Sequence, residues 1–289
     1  MLRRPRPALM SLTMPHPRTA HSQAYVEESR SQVAPQAAST FDPAIRLLPR
    51  DLRQDARKLY SLLRTLDDLV DENDPEAAYR VEAVERWTDG HTVDTPETRI
   101  LTDLSRRHTL PRESVSEFCE GMRLDLVGID LETEADLERY CQFVGGSVGV
   151  ILTRLFDTSN PDCESKMAAL GRAFQRTNIV RDIDEDHEHG RLYIARTTIE
   201  RFGLPSPGAR GELLRDQIAR ADALYEEGLG AIPMLARGQR GMALSSALYR
   251  EILRQIEREG YGRRPGRVAV PGWRRWLLVT EHRLKPAYG

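Results

Sequence analysis

Lysine is nearly missing from this chain of 289 residues: Lys58, Lys166 and Lys285 are the only ones, although lysine and arginine together number 42. Positive charge is therefore arginine wherever it falls, so no single arginine is informative by type alone. The net charge of −2 gives no basic field for nucleic acid and excludes a general nucleic-acid binder. Cysteine is scarce too. Cys119, Cys141 and Cys163 are odd in number and contain no C-x-x-C pair, which excludes a disulfide framework and a zinc site. Three idle thiols in a reducing compartment fit, and the expected location is the cytoplasm. Aromatics are only 6% and β-branched alternation is almost absent, which argues against a sandwich or barrel. No apolar run approaches the ~18 residues of a membrane span. The longest, FVGGSVGVILTRLF at 143–156, is short and contains Arg154. The N-terminus is rich in Pro and Arg and lacks a signal-peptide apolar core. Residues 1–18 read as a disordered tail. A transit peptide, or a true start at Met10 or Met14, are the alternatives.

What remains is helix periodicity. Helices are expected near 20–33, 42–48, 51–72, 76–87, 96–106, 112–127, 134–156, 163–186, 211–230, 242–259 and 273–284. Breakers such as Pro75, Pro111, Gly128, Asn160-Pro161, Gly190 and the stretch GLPSPGARG at 203–211 separate them. The connections are short and no composition shift divides the chain. The expected fold is all-α, one helical domain over 19–289.

Two of these helices are unusual. The stretch LYSLLRTLDDLVDEND (59–74) places Asp67, Asp68, Asp71 and Glu72 within six positions. Like charges one turn apart cost roughly 0.2–0.5 kcal/mol per pair. On a helical wheel Leu59, Leu62, Leu63, Leu66, Leu69 and Val70 form a broad apolar face. Tyr60, Arg64, Asp67 and Asp71 share another stripe, within roughly 60° of each other. Alone, this could be a solvated face.

The second helix makes that reading insufficient. In LGRAFQRTNIVRDIDEDHEHGRLY (170–193), Gly171, Gln175, Asn178, Asp182 and Asp186 form a stripe about 80° wide, and the remaining faces of its first part are apolar. Such a helix is buried, and a buried polar stripe must be satisfied. Aspartates on two facing helices can hold Mg²⁺ ions that share their shell with a diphosphate. Arg64, Arg181 and Arg191 can clamp the same phosphates bidentately. Repulsion along each helix is then tolerated because cations belong between them. A helical scaffold with acidic surface helices is the bland alternative, and it leaves the stripe around Asn178 and Asp182 unexplained.

These segments resemble the aspartate motifs of the squalene/phytoene synthase family. DDLVD at 67–71, preceded by Tyr60 and Arg64, is similar to the first D-x-x-x-D. DIDED at 182–186, within TNIVRD and before GRLY (190–193), is similar to the second. STFDPAIRLLP (39–49), EGMRLDL (120–126, with Asp125), YCQFVGGSVG (140–149) and LYREILRQIEREGY (248–261) with RVAVP (267–271) resemble further family motifs in the same order. The likeness spans about residues 22–276. Arg176, Phe143, Gly145 and Ile194-Ala195 depart from residues common in the family and bear on the product more than on the fold.

The resemblance implies an isoprenoid synthase fold with a central cavity and Mg²⁺-dependent ionisation of a prenyl diphosphate (Mn²⁺ being the other candidate metal). It implies attack on a second prenyl diphosphate through a cyclopropylcarbinyl diphosphate to a 1′-1 product. Carried over by position, Asp67, Asp71, Asn178, Asp182 and Asp186 would be metal ligands. Ser39, Thr40, Arg64, Arg181, Arg191 and Tyr249 would meet diphosphate. Tyr140 would lie near the reacting carbons, as proton acceptor or cation stabiliser. FVGGSVGVILTRLF would wall an apolar tunnel, its glycines leaving room or letting helices pack closely.

Neither the C-terminal anchor nor the further motif region of the eukaryotic squalene synthases is evident, which favours a phytoene synthase that uses no reductant, so NADPH is not expected. The first expectation is a phytoene synthase joining two geranylgeranyl diphosphates. A presqualene diphosphate or squalene synthase acting on farnesyl diphosphate comes second, and a terpene cyclase third. A non-catalytic relative acting as an assembly factor is the rival from another class; it would be expected to have lost aspartates that are present here. The expected state is a monomer or weak homodimer. RRPGRVAVPGWRRWLL (263–278) allows two readings: peripheral docking on anionic lipid, or a terminal helix packing its tryptophans inward.

Overall fold

The computed structural model describes residues 40–284, and no strand occurs among them. The expected helix at 20–33 and the tail lie outside the described residues, as does Ser39. The described chain runs through α1 (Asp42–Ile45), α2 (Arg50–Asp71), α3 (Ala77–Thr88), α4 (Pro96–Ser105), α5 (Arg112–Val127) and α6 (Glu134–Cys141). A π-helical turn (Gln142–Gly146) leads into α7 (Ser147–Leu155). Then follow α8 (Pro161–Arg181), α9 (Ile183–Glu188), α10 (Arg196–Phe202), α11 (Gly211–Leu229), α12 (Gln239–Arg258) and α13 (Gly272–Leu284).

Local signals start several helices. Asn160 caps α8, its Oδ1 accepting from the backbone N–H of Asp162 at 3.0 Å, with Pro161 at the first helical position. Thr133 and Asp136 form a reciprocal capping box at the start of α6. Helix α8 lies at the centre, packed against the π turn, α7, α11 and α12. Its packing requires glycine. A Cβ on Gly171 would stand 2.0 Å from the carbonyl oxygen of Gly145, and one on Gly145 would stand 2.4 Å from that of Gly171. A Cβ on Gly149 would stand 2.1 Å from the carbonyl oxygen of Met167. The glycines of FVGGSVG thus let two backbones touch, and the cavity wall they form follows from that approach.

Three expectations are corrected. The helix 134–156 is not uniform: it widens into a π turn at Gln142–Gly146, where the adjacent Gly145 and Gly146 weaken the preference for regular α-helix. The helix 163–186 breaks at Asp182 (φ −100°, ψ 10°) and restarts at Ile183. Asp182 turns to Arg181 and Arg267, while Asp184 turns to Arg210 and the backbone N–H of Gly266. Helix α10 lies in a stretch read as loop. Its β-branched residues disfavour helix, and tertiary bonds hold it: Arg196 N–H to Leu131 O at 2.8 Å and Thr198 Oγ1 to Glu134.

Candidate active site

Helix α2 brings Tyr60, Arg64, Asp67 and Asp71 to one wall of a central cleft, as their spacing requires. Helix α8 brings Gln175, Asn178 and Arg181 to the facing wall, extended by Asp182 and, on α9, Asp186. Two adjoining compartments lie between. An inner cavity of about 510 Å³ is lined mainly by apolar side chains, among them Leu63, Phe118, Met122, Val148, Leu152 and Phe174. An outer one of about 310 Å³ is lined by the aspartates and arginines. Arg64, Asp67, Tyr140, Gln175, Asn178, Arg181 and Arg267 border both. Thr40 and Tyr249 reach the inner compartment; Asp71, Asp182, Asp186 and Arg191 reach the outer. Every candidate within the described residues therefore lines this cleft.

The electrostatics are those of an incomplete site. Asp67 is recessed in the cleft but keeps 43% of its side chain open to it. Loss of bulk water and the neighbouring Asp71 push its carboxyl up to about 7. Asp186 is pushed up to about 7 by burial, then by Asp182 and Asp71. Asp71 reaches from the α2 wall into that repulsion. Arginines offset part of the excess. Arg64 pairs with Asp67 at 3.1 Å and Asp68 at 2.5 Å. Arg191 pairs with Asp71 and donates to Val70 O. Arg181 holds Asp182 through two nitrogens at 2.7 and 2.5 Å, and Arg267 reaches Asp182 and Glu185, each at 3.1 Å.

The donor set fits a hard divalent cation. All the candidate ligands offer oxygen. The Oδ1 of Asn178 is buried without a hydrogen-bond partner, while its Nδ2 donates to Gln175 at 3.3 Å. An acceptor left orphaned beside a carboxylate cluster is a feature that a cation resolves. Among the described residues no three carboxylate, imidazole or thiolate side chains converge as a ready-made metal site. The ligands are divided between two walls, and arginines engage several of them.

The catalytic candidate Tyr140 belongs to a network. It is buried at 4% exposure, stacks on Tyr193 with centroids 5.2 Å apart, and donates to Asp125 at 2.9 Å. Tyr193 donates to the other oxygen of Asp125, also at 2.9 Å. Burial keeps the Tyr140 hydroxyl protonated, its pKa raised well above the usual phenol value. Burial also raises Asp125 to about 6, against the two tyrosine hydrogen bonds that lower it.

A squalene/phytoene synthase profile matches residues 34–274. The chain is 31% identical over 265 residues to a phytoene synthase of Thermus thermophilus, covering 84% of this chain and 88% of that one. A presqualene diphosphate synthase of Rhodopseudomonas palustris is 33% identical over 178 residues, 60% of this chain and 63% of its own. Among solved structures, a dehydrosqualene synthase with bound ligand superposes with a TM-score of 0.77 at 26% identity, covering 91% of this chain and 94% of that one. The chain belongs to the squalene/phytoene synthase family. It is a prenyl-transferring enzyme of the kind that couples prenyl diphosphates head to head.

Placed in this family, the cleft also holds residues to which the sequence assigned no role. Asp125 was visible in EGMRLDL, but its two tyrosine partners are 15 and 68 residues away. Arg267 opens RVAVP, and only the fold brings it to Asp182. Phe41 and Phe174 each stack on Tyr249, at 4.6 and 4.7 Å between centroids, and stand 5.9 Å from each other, giving the inner cavity a wall of three clustered rings. For Phe41 the available signal was its place directly after Ser39 and Thr40, the residues expected to meet diphosphate. Nothing in the pattern marked Phe174 apart from its apolar neighbours.

Proposed function

We propose that this enzyme joins two geranylgeranyl diphosphates to phytoene, with Mg²⁺ as its cofactor and no reductant. The observation that carries the reading is the division of one cleft into a charged outer compartment and an apolar, aromatic-walled inner one. Diphosphate suits the first and a long prenyl chain the second. The choice of geranylgeranyl over farnesyl is supported by phytoene synthases that align along most of the chain, whereas the presqualene diphosphate synthases align over about three fifths of it. Farnesyl diphosphate coupling is the second reading, and it rests on those same relatives.

Arg64, Arg181, Arg191 and Arg267 hold the diphosphate as its bond to the allylic carbon breaks and the electron pair leaves with oxygen. Mg²⁺, held by Asp67, Asp71, Asn178, Asp182 and Asp186, would neutralise the remaining charge on that leaving group. The carbocation is then met by the double bond of the second substrate, loss of a proton closes the cyclopropane, and departure of the second diphosphate followed by loss of another proton gives phytoene. Phe41, Phe174 and Tyr249 offer ring faces that tolerate a cation without attacking it. Tyr140 stays neutral and, held by Asp125, presents its ring and hydroxyl at the junction of the two compartments. The inner wall keeps water away from the cation.

A product assay tests the proposal. Purified protein with Mg²⁺ receives geranylgeranyl diphosphate, or farnesyl diphosphate with and without NADPH, and extracts are analysed by mass spectrometry. A C40 triene from the first substrate is expected. Presqualene diphosphate or squalene as the main product would transfer the enzyme to farnesyl chemistry, and a cyclic product would overturn head-to-head coupling.

A further inference from the structure

Helix α13 carries apolar residues on two sides. Leu278 and Val279 pack inward against Ala44, Leu244 and Leu248, and His282 is buried beside them. Trp273, Trp276, Leu277 and Leu284 point away, at 58%, 65%, 49% and 80% exposure. Within one helix these four fall inside an arc of roughly 100°. Four of the seven large hydrophobic side chains exposed among the described residues are therefore on this one stripe. The reading in which both tryptophans pack inward is corrected: the inner face is occupied by smaller residues already, and the indoles have no core to enter.

Charge identifies what covers the stripe. Residues 261–284 contain six arginines and one acid, Glu281, within a chain of net charge −2. Arg263, Arg264, Arg275 and Arg283 are exposed and have no carboxylate partner among the described residues. Arg274 lies over the ring of Trp273 at 4.5 Å. Arg274 also pairs with Glu251 at 3.4 Å, and on the helical wheel it and the unpaired Arg283 flank the two edges of the stripe. Indoles with leucines between flanking guanidiniums match the boundary between acyl chains and anionic headgroups: the rings enter the interface and the charges remain at its phosphate level. A protein partner would need complementary acids and shape; a lipid surface needs only these two chemistries.

The position of the stripe gives the contact a purpose. Helix α13 rests on α1 and α12. The cavity residues Thr40 and Phe41 lead into α1, Tyr249 is on α12, and Arg267 lies five residues before α13.

We propose that α13 is a docking helix for an anionic lipid bilayer, seating the cleft next to the phase in which long prenyl chains dissolve. The contact is independent of which prenyl diphosphate is used. Full-length protein is sedimented with phosphatidylcholine vesicles that contain phosphatidylglycerol, and with vesicles of phosphatidylcholine alone. The expected result is binding to the first, weakened by salt and much poorer with the second. Intrinsic fluorescence reports the site, because the only other tryptophan, Trp87, is buried; emission shifts to the blue as Trp273 and Trp276 leave water. The Trp273→Ala/Trp276→Ala variant loses at least about tenfold in partitioning, and Arg274→Gln/Arg283→Glu, altered on the two edges of the stripe, loses as much along with its salt dependence. Both variants keep wild-type turnover on detergent-dispersed substrate. Wild-type protein left in the supernatant with anionic vesicles, or tryptophan-free α13 binding as well as wild type, overturns the proposal. So does a dimer in sedimentation equilibrium that the tryptophan variant dissolves while vesicles bind neither form, which would assign the stripe to a second copy.

Discussion

Arg191, on the segment after α9, is ion-paired with Asp71 at the far end of α2, and its second terminal nitrogen donates to Val70 O at 3.1 Å. The two acidic walls are thereby latched to each other by a cation that one of them supplies. A diphosphate with its metals would compete for both partners, taking Arg191 as a phosphate ligand and freeing Asp71 for metal. Arg191→Lys keeps the charge but loses the fork. Its expected effect is a tenfold or greater rise in KM for the prenyl diphosphate, read by steady-state kinetics; unchanged KM and kcat would remove Arg191 from the site.

Asp67→Asn and Asp186→Asn are expected to separate stability from activity. Each carboxyl is raised to about 7 in the folded protein, above its value in the unfolded chain near ~3.9. The folded state then binds more protons than the unfolded one between these values, so stability of the metal-free enzyme falls as pH rises from about 4 to 7. Either substitution removes one such penalty. The melting temperature of metal-free protein at pH 8 should rise by about 2–4 °C, the gain should shrink at pH 5, and turnover should fall by three or more orders of magnitude. A variant that melts lower at pH 8 would contradict the electrostatic account.

The Asp125 network makes a kinetic prediction. Asp125→Asn keeps the volume but can no longer accept through two oxygens from Tyr140 and Tyr193. Misorientation of Tyr140 is expected to lower kcat by about 10–100-fold with little change in KM. Tyr193→Phe, which removes one hydrogen bond and leaves the stack, should give a smaller loss. Equal losses in KM for both variants would indicate damage to substrate binding instead.

Close helix packing at the wall of the inner cavity can be tested by substitution. Gly171→Ala puts a methyl group 2.0 Å from a backbone carbonyl oxygen that cannot rotate away. A cost of about 1–3 kcal/mol is expected in urea unfolding, together with reduced turnover as the π turn is displaced from α8. Gly211→Ala, whose nearest neighbour is the mobile end of Arg215 at 3.6 Å, should be neutral or slightly stabilising.

Remote from the cleft, Arg80 and Glu97 form a buried pair, with side-chain exposures of 6% and 0%. Glu97→Ala leaves the buried guanidinium only its longer contact with Glu76 at 3.8 Å, and a loss of about 3–5 kcal/mol is expected. Catalytic constants of the protein that remains folded should be unchanged.

Much of this arrangement was legible because it follows from periodicity. Tyr60, Arg64, Asp67 and Asp71 had to share a stripe of α2, and Asn178 had to face the same cleft from α8 if the apolar remainder was buried. What was not legible depends on distant residues. The break at Asp182 is set by the pull of Arg267 on one carboxylate and of Arg210 on the next but one. Helix α10 forms against its own propensities because Leu131 and Glu134 hold it. The direction of Trp273 and Trp276 could not be read from α13 itself, whose apolar residues lie on two sides; only the contacts with Ala44, Leu244 and Leu248 decide which side is inward. The glycines at 145 and 149 had two readings, and the facing backbones at Gly171 and Met167 fix the close packing.

The claim on which the rest depends is that the divided aspartates of α2 and α8–α9 form one metal-dependent diphosphate site. Titration calorimetry with inorganic diphosphate addresses it directly, in Mg²⁺ and in EDTA, on wild type, Asp67→Asn and Asp182→Asn. Binding in Mg²⁺ that vanishes in EDTA and weakens at least tenfold in each variant is the expected result. Equal binding in EDTA, or wild-type binding by a variant altered on either wall, would contradict it.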